Sequence, residues 1–271
     1  MAKLKSSTNL CEVLKNILAN LVAMLREASS NPEYVDIIGI NATGDVTRKI
    51  DLLAEEFVVH EVKKLDLKAW IVSEEEGVRR LSEKPELVIL LDPLDGSLNY
   101  ALNIPFASIS LAAYRVGDSI LRPLYGGVYS VFSETRIEIC DDKVFFNDKP
   151  IEGYNLRGLE VISIYTDNPE HIRAVVKLIE SKGIKVKVRT MGSAALESAL
   201  AALGWIGHFI HVTGRLRNVD VAVGLALAAK LGASVYTEPS LEELSINGIE
   251  FVRKVVIAPK GSEVVNIVKY F

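Results

Sequence analysis

The sequence predicts a mixed fold in two parts, an α+β half over residues 1–153 and a layered α/β half over residues 154–271. Three observations carry this. Two segments with helical spacing come first, a group of short apolar runs separated by turn residues follows, and beyond about residue 155 strand-like and helix-like segments alternate.

The first helix is read over 9–27, where Leu10, Val13, Leu14, Ile17, Leu18, Leu21, Met24 and Leu25 recur on one face and Ser7 or Thr8 can cap it. The second is expected over 47–62, with Ile50, Leu53, Phe57, Val58 and Val62 on one face and Asp45 as its N-cap. Buried strands are expected at 69–73 and 87–91, then an antiparallel meander at 107–114, 125–132 and 134–140, with turns at Arg115-Val116-Gly117-Asp118 and Ser133-Glu134. The second half reads as strands at 160–165, 185–188, 206–211, 233–236 and 252–258. Its helices are expected at 169–181, 194–203 and 219–231, with a last one from about Ser262.

With 49% hydrophobic residues over 271 positions, the chain can bury a large core. A net charge of −4 without a basic stripe argues against nucleic acid as a partner. No window holds 18 uninterrupted apolar residues, so no membrane span is expected, and the start of the chain lacks a signal-peptide apolar stretch. Cys11 and Cys140 are too few for a disulfide framework and show no metal-ligand spacing, so they are read as buried thiols of a reduced, cytoplasmic protein. His60, His171, His208 and His211 are read as surface or packing residues. Trp70 and Trp205 are assigned to the core, and Arg79, Arg80 and Lys84 to a solvated, mobile loop.

The chemistry concentrates at the ends of the two early strands. Asp92-Pro93-Leu94-Asp95-Gly96-Ser97 follows the apolar run Leu87–Leu91, and Glu74-Glu75-Glu76 follows Ala69–Ser73. Asp, Pro, Gly and Ser all favour turns, so a plain turn is the competing reading. Such a turn has no need of two acids flanking an apolar residue after five aliphatic ones. Hard divalent cations take carboxylate and carbonyl oxygens, which makes Glu74, Asp92, Asp95 and the Leu94 carbonyl candidate ligands for Mg²⁺. Asp220, at the start of the 219–231 helix, is a further candidate, although an acid there also serves as a cap. Glu75 and Glu76 are read as solvated neighbours.

The Gly96 and Ser97 amides can seat a phosphate, and Arg189 and Arg215 are candidate second contacts, each equally readable as surface charge. Asp51 can accept a hydrogen bond from the Ser97 hydroxyl, which would then orient or deprotonate an attacking water.

These segments resemble the inositol monophosphatase superfamily of Mg²⁺-dependent sugar phosphatases. The resemblance rests on Gly44-Asp45-x-Thr47-x-x-x-Asp51, Glu74-Glu75, Asp92-Pro-Leu-Asp95-Gly-Ser97, Gly192-Ser193-Ala194-Ala195 and Asp220-Val-Ala, in family order over residues 44–224. Phe145-Phe146-Asn147-Asp148-Lys149-Pro150 is similar to the family's hairpin before its second half. The resemblance implies an αβαβα sandwich, a homodimer, and two or three Mg²⁺ held by Glu74, Asp92, Leu94, Asp95 and Asp220. It implies Asp51, Ser97 and Glu74 as the catalytic set, with Ser97 where relatives often carry threonine. Asp95, Gly96, Ser97, Arg189, Ser193 and Arg215 would meet the substrate.

Inositol-specific members often carry an acid shortly before the last metal aspartate. Here Val212-Thr213-Gly214-Arg215-Leu216-Arg217-Asn218 has none and is similar to archaeal members that hydrolyse both fructose 1,6-bisphosphate and inositol 1-phosphate. A guanidinium at 215 suits a second phosphate. Hydrolysis of both esters is therefore expected. The alternatives are an inositol monophosphatase only, or a non-catalytic, macromolecule-binding member of the same fold.

Overall fold

A computed structural model describes residues 7–41, 44 and 46–271, with the side chains of residues 7 and 8 left aside. The caps expected at Ser7 or Thr8 and at Asp45 fall outside the described side chains.

The chain opens with α1 (Ser7–Ala28), a 3-10 turn at Pro32–Val35, and a hairpin of β1 (Ile37–Ile40) and β2 (Val46–Arg48) that leads into α2 (Lys49–Lys64). Next come β3 (Ala69–Ser73), β4 (Gly77–Arg80), β5 (Leu87–Asp95), the one-turn α3 (Ser97–Ala101), β6 (Ser108–Arg115), β7 (Tyr125–Ser130), β8 (Arg136–Cys140), β9 (Lys143–Phe146) and β10 (Lys149–Ile151). The rest is β11 (Val161–Tyr165), α4 (Pro169–Glu180), β12 (Lys187–Arg189), α5 (Ala194–Ala202), β13 (His208–His211), β14 (Leu216–Arg217), α6 (Asn218–Leu231), β15 (Ser234–Glu238), β16 (Phe251–Val252), β17 (Lys254–Ala258) and α7 (Val264–Val268).

Eight strands form one sheet in the order β10-β9-β8-β7-β6-β5-β3-β4, and five form a second in the order β12-β11-β13-β17-β15. Alternation along the central strands sorts their side chains into two cores. From β5, Leu87, Ile89 and Leu91 join Leu14, Leu18 and Leu21 of α1 and Ile50, Val58 and Val62 of α2. Val88 and Leu90 point the other way, into a core shared with α5, α6 and Phe209, Val255 and Ile257 of the second sheet. The far face of that sheet, with Ile162, Ile164, Ile210 and Val256, is covered by Val175 and Ile179 of α4 and Val264 and Val268 of α7. The layers therefore run helix, sheet, helix, sheet, helix, the expected αβαβα sandwich. Among the described residues no helix is long and apolar enough to cross a membrane.

Several expectations are corrected. The second helix starts at Lys49 rather than at 47, with Arg48 in the N-cap position, because 46–48 pair with β1 instead. Residues 77–80 are strand β4, not a mobile loop: they pair with β3, and Arg79 forms ion pairs with Glu55, Glu56 and Glu76. Trp70 is half-buried rather than in the core, its Nε1 donating to the Ser82 carbonyl at 3.0 Å and its ring facing Arg80. Trp205 is likewise half-buried, set against Phe146 at the margin of the central core. Cys11 and Cys140 are joined as a disulfide and are not free thiols. Their 129-residue separation hides the pairing in the sequence, and only the packing of α1 across the sheet brings their Cα atoms to 6.0 Å.

Candidate metal and phosphate site

Parallel pairing of β3 and β5 sets Ser73 beside Leu91, so both strands end at the same place and deliver Glu74 and Asp92 side by side. β5 continues past the expected end at Leu91 to Asp95, through an irregular register between Asp92 and Asp95 that accommodates Pro93. The Leu94 amide donates to Asp92 Oδ1 at 3.2 Å, which folds the acid back over its own turn. From the layer between the sheets, α6 presents Asp220 in its first turn, where Oδ2 accepts the Arg217 amide at 2.7 Å. One carboxylate oxygen each from Glu74, Asp92 and Asp220 lie within 4.8 Å of one another. This is an all-oxygen donor set of the kind a hard divalent cation takes, so the residues fit such an ion.

Asp95 sits beside this trio. Its Oδ2 accepts from Ser193 Oγ at 2.5 Å, the Ala195 amide at 2.8 Å and Ser108 Oγ at 3.4 Å. The turn that follows depends on glycine. Gly96 has φ of +88°, and a Cβ there would meet the Gly192 carbonyl at 2.8 Å. A Cβ on Gly192, at φ of +91°, would meet Asn99 Nδ2 at 2.6 Å, and Asn99 Nδ2 donates to the carbonyls of Phe106 at 2.8 Å and Met191 at 2.6 Å. The 96–99 turn and the 191–193 loop are thereby locked together.

Glu197, fully buried, braces that loop from behind. It accepts from Ser163 Oγ, the Tyr165 hydroxyl and the amides of Met191, Gly192 and Ser193. Buried carboxylates need such donors to offset lost hydration.

The cavity above these groups measures about 480 Å³ and is lined by Asp51, Glu74, Glu75, Asp92, Leu94, Asp95, Gly96, Ser97, Arg215, Arg217 and Asp220, with Tyr165 and His211 on one wall. Of the residues singled out in the sequence, Ser193 lies just behind the wall, bonded to Asp95. Arg189 does not line the cavity; it is exposed on the edge strand β12, its Nη1 donating to the Val188 carbonyl. Arg215 is at the rim, paired with Asp167 at 2.5 Å. The hydrogen bond expected between Asp51 and Ser97 is not formed. Asp51 Oδ2 accepts the Arg48 amide at 2.8 Å, and its buried Oδ1 has no hydrogen-bond partner. Glu75 is not a solvated bystander, since its Oε2 accepts from Thr47 Oγ1 at 2.6 Å.

Crowding acids in a buried site raises their pKa values. Burial, reinforced by Asp220, pushes Glu74 up to about 8 even with Arg217 opposing. Burial and the charges of Asp95, Glu74 and Asp220 hold Asp92 well above the carboxylate range. Burial lifts Asp95 to about 7 against the Ser193 hydrogen bond, and lifts Asp51 to about 7 against the Arg48 amide.

Sequence reasoning missed Arg217, Glu197 and Asn99. A signal existed for the first: Arg48-x-x-Asp51 and Arg217-x-x-Asp220 repeat one pattern, and in both the arginine amide caps onto the aspartate at the helix start. Nothing in the spacing of Glu197 or Asn99 announces a tertiary role.

Comparison with known proteins gives a consistent picture. The family model described as the inositol monophosphatase family matches residues 7–262. A Pyrococcus furiosus protein named fructose-1,6-bisphosphatase is 28% identical over 260 residues, covering 95% of each chain. An Aeropyrum pernix protein named inositol-1-monophosphatase is 33% identical over 208 residues, covering 73% of this chain and 74% of its own. A solved Pyrococcus horikoshii structure, described as having similarities to inositol-1 monophosphatase, superposes with a TM-score of 0.79 at 26% identity, covering 98% of this chain and 99% of its own.

Proposed function

The chain belongs to the inositol monophosphatase family and is a phosphatase, and we propose that it is a Mg²⁺-dependent phosphomonoesterase acting on fructose 1,6-bisphosphate and inositol 1-phosphate. The convergence of Glu74, Asp92 and Asp220 beside Asp95 and the Gly96-Ser97 turn carries this reading. Glu74, Asp92, the Leu94 carbonyl, Asp95 and Asp220 would hold two or three Mg²⁺. Bound there, the ions supply Lewis-acid polarisation of the phosphate and activation of water.

The chain's own groups do the rest. The Gly96 and Ser97 amides seat the phosphate, since Gly96 in its left-handed conformation starts a fresh helical turn whose first amides lack helical partners. Asp51 Oδ1, buried and without a hydrogen-bond partner, is available to the Ser97 hydroxyl, and the pair orients the attacking water. Burial raises the Asp51 carboxyl to about 7 in the absence of bound ions. At the rim Arg215 meets the second phosphate of a bisphosphate substrate. A homodimer completes the proposal.

Phosphate release from the two esters under Mg²⁺, with and without a chelator, tests it. Both esters are expected to be hydrolysed, and both reactions to stop on chelation. An undiminished rate after chelation overturns the metal assignment, and cleavage of the inositol ester alone overturns the role given to Arg215.

A further inference from the structure

Arg217 lines the cavity among the acids, and the proposed chemistry gives it no role. It is 8% exposed, with its Nη1 2.7 Å from Glu74 Oε1 and its Nε 3.2 Å from Asp220 Oδ2. Its backbone is fixed on both sides, by pairing with Phe251 in the β14–β16 ladder and by the capping bond to Asp220. The guanidinium therefore contacts two of the three carboxylates whose oxygens converge within 4.8 Å. Its counterpart Arg48, at the same place before α2, sends Nη1 to the Val35 carbonyl instead. The contact with the acid cluster is thus a property of Arg217 and not of the capping pattern.

Glu74, Asp92, Asp95 and Asp220 bring four carboxylates into one half-enclosed site, where uncompensated negative charge is costly. A planar fork can reach two acids at once, which an ammonium cannot do in the same way. We infer that Arg217 is a resident counter-cation of the acid cluster, holding the carboxylates together when divalent ions are absent and opposing their entry. The metal-free fold is stabilised by it, and metal affinity is held below what the four acids alone would give. Because the guanidinium shares carboxylates with the ions, its removal acts with opposite sign on the two states.

This inference rests on the reading of the cluster as a divalent-metal centre, and the test separates the two. Full-length native protein and the Arg217→Met variant are titrated with Mg²⁺ by calorimetry, and their thermal unfolding is compared in chelator and in saturating Mg²⁺. Arg217→Met is expected to bind Mg²⁺ at least about tenfold more tightly, the least that loss of a unit positive charge a few ångströms from a divalent ion implies. It is also expected to melt lower than the native protein in chelator, with the gap narrowing in Mg²⁺. Affinity that is unchanged or weaker overturns the inference, as does an equal loss of melting temperature in both conditions. If Arg217→Met does not fold in chelator, Arg217→Lys replaces it, with an affinity expected between native and Met; native-like or weaker binding by the lysine variant overturns the inference. Absence of Mg²⁺ binding by the native protein removes the metal-centre reading itself, whereas native binding with an unaffected variant removes only the role of Arg217.

Discussion

Ser193 Oγ donates to Asp95 Oδ2 at 2.5 Å and lies 2.9 Å from Ser108 Oγ, so one hydroxyl from the start of α5 ties down an acid at the end of β5 that is 98 residues away in sequence. The bond crosses from the eight-stranded sheet to the helical layer between the sheets, and it sets the direction of Asp95 beside the other acids. Replacing Ser193 by alanine is expected to lower stability by about 1 kcal/mol, the usual net value of a buried hydrogen bond. Phosphatase activity should fall roughly tenfold because Asp95 loses its anchor. Urea unfolding and a phosphate-release assay measure the two effects, and unaltered activity would show that Asp95 needs no such anchor.

Asp92→Asn should separate activity from stability. Burial and three neighbouring acids hold the Asp92 carboxyl well above the carboxylate range, so in chelator its charge is a liability to the fold. The amide variant is expected to be more stable than the native protein in chelator, by roughly 1 kcal/mol, while activity drops by roughly a thousandfold or more. A lower unfolding midpoint in chelator would contradict this account of the site's electrostatics.

At the rim, Arg215 is half neutralised by Asp167, and both side chains are largely exposed. Exposed pairs of this kind contribute about 0.2–1 kcal/mol, so Asp167→Asn should lower KM for fructose 1,6-bisphosphate by no more than about fivefold. Arg215→Ala should raise that KM about tenfold. Neither change should move KM for inositol 1-phosphate, which has no second phosphate. Steady-state kinetics on the two esters decides, and equal shifts for both would remove Arg215 from substrate selection.

His208 gives a pH dependence remote from the acids. Burial, helped by Lys182, pushes it down to about 4 from an ordinary value near 6.5, and its Nε2 lies 3.0 Å from Ser262 Oγ. Unfolded, it binds a proton between pH 6.5 and about 4 that the folded form refuses. Its contribution to stability is therefore full above pH 6.5 and lost as pH falls towards 4, to a total of about 3 kcal/mol. Denaturant midpoints at pH 7 and pH 4 should accordingly fall further for the native protein than for His208→Gln. Parallel losses in the two proteins would refute the assignment.

While β4, the β1–β2 hairpin and the β14–β16 pair escaped it, the sequence by itself determined the long helices and the central strands, the five-layer sandwich through its family motifs, and which acids to examine. Each of these is local: the apolar runs at 69–73 and 87–91, the helical spacing of α1 and the Asp92–Ser97 turn carry their meaning within a few residues. Tertiary structure alone decided what those groups touch. The Cys11–Cys140 bond, the bracing of the 191–193 loop by Glu197, the exclusion of Arg189 from the cavity and the burial of Arg217 among carboxylates all join segments far apart in the chain. Local pattern is blind to such pairings, because they are set by how sheets and helices stack and not by the spacing of residues along any one of them. The acids could be named from the chain, but the cation that answers them could be found only where the layers meet.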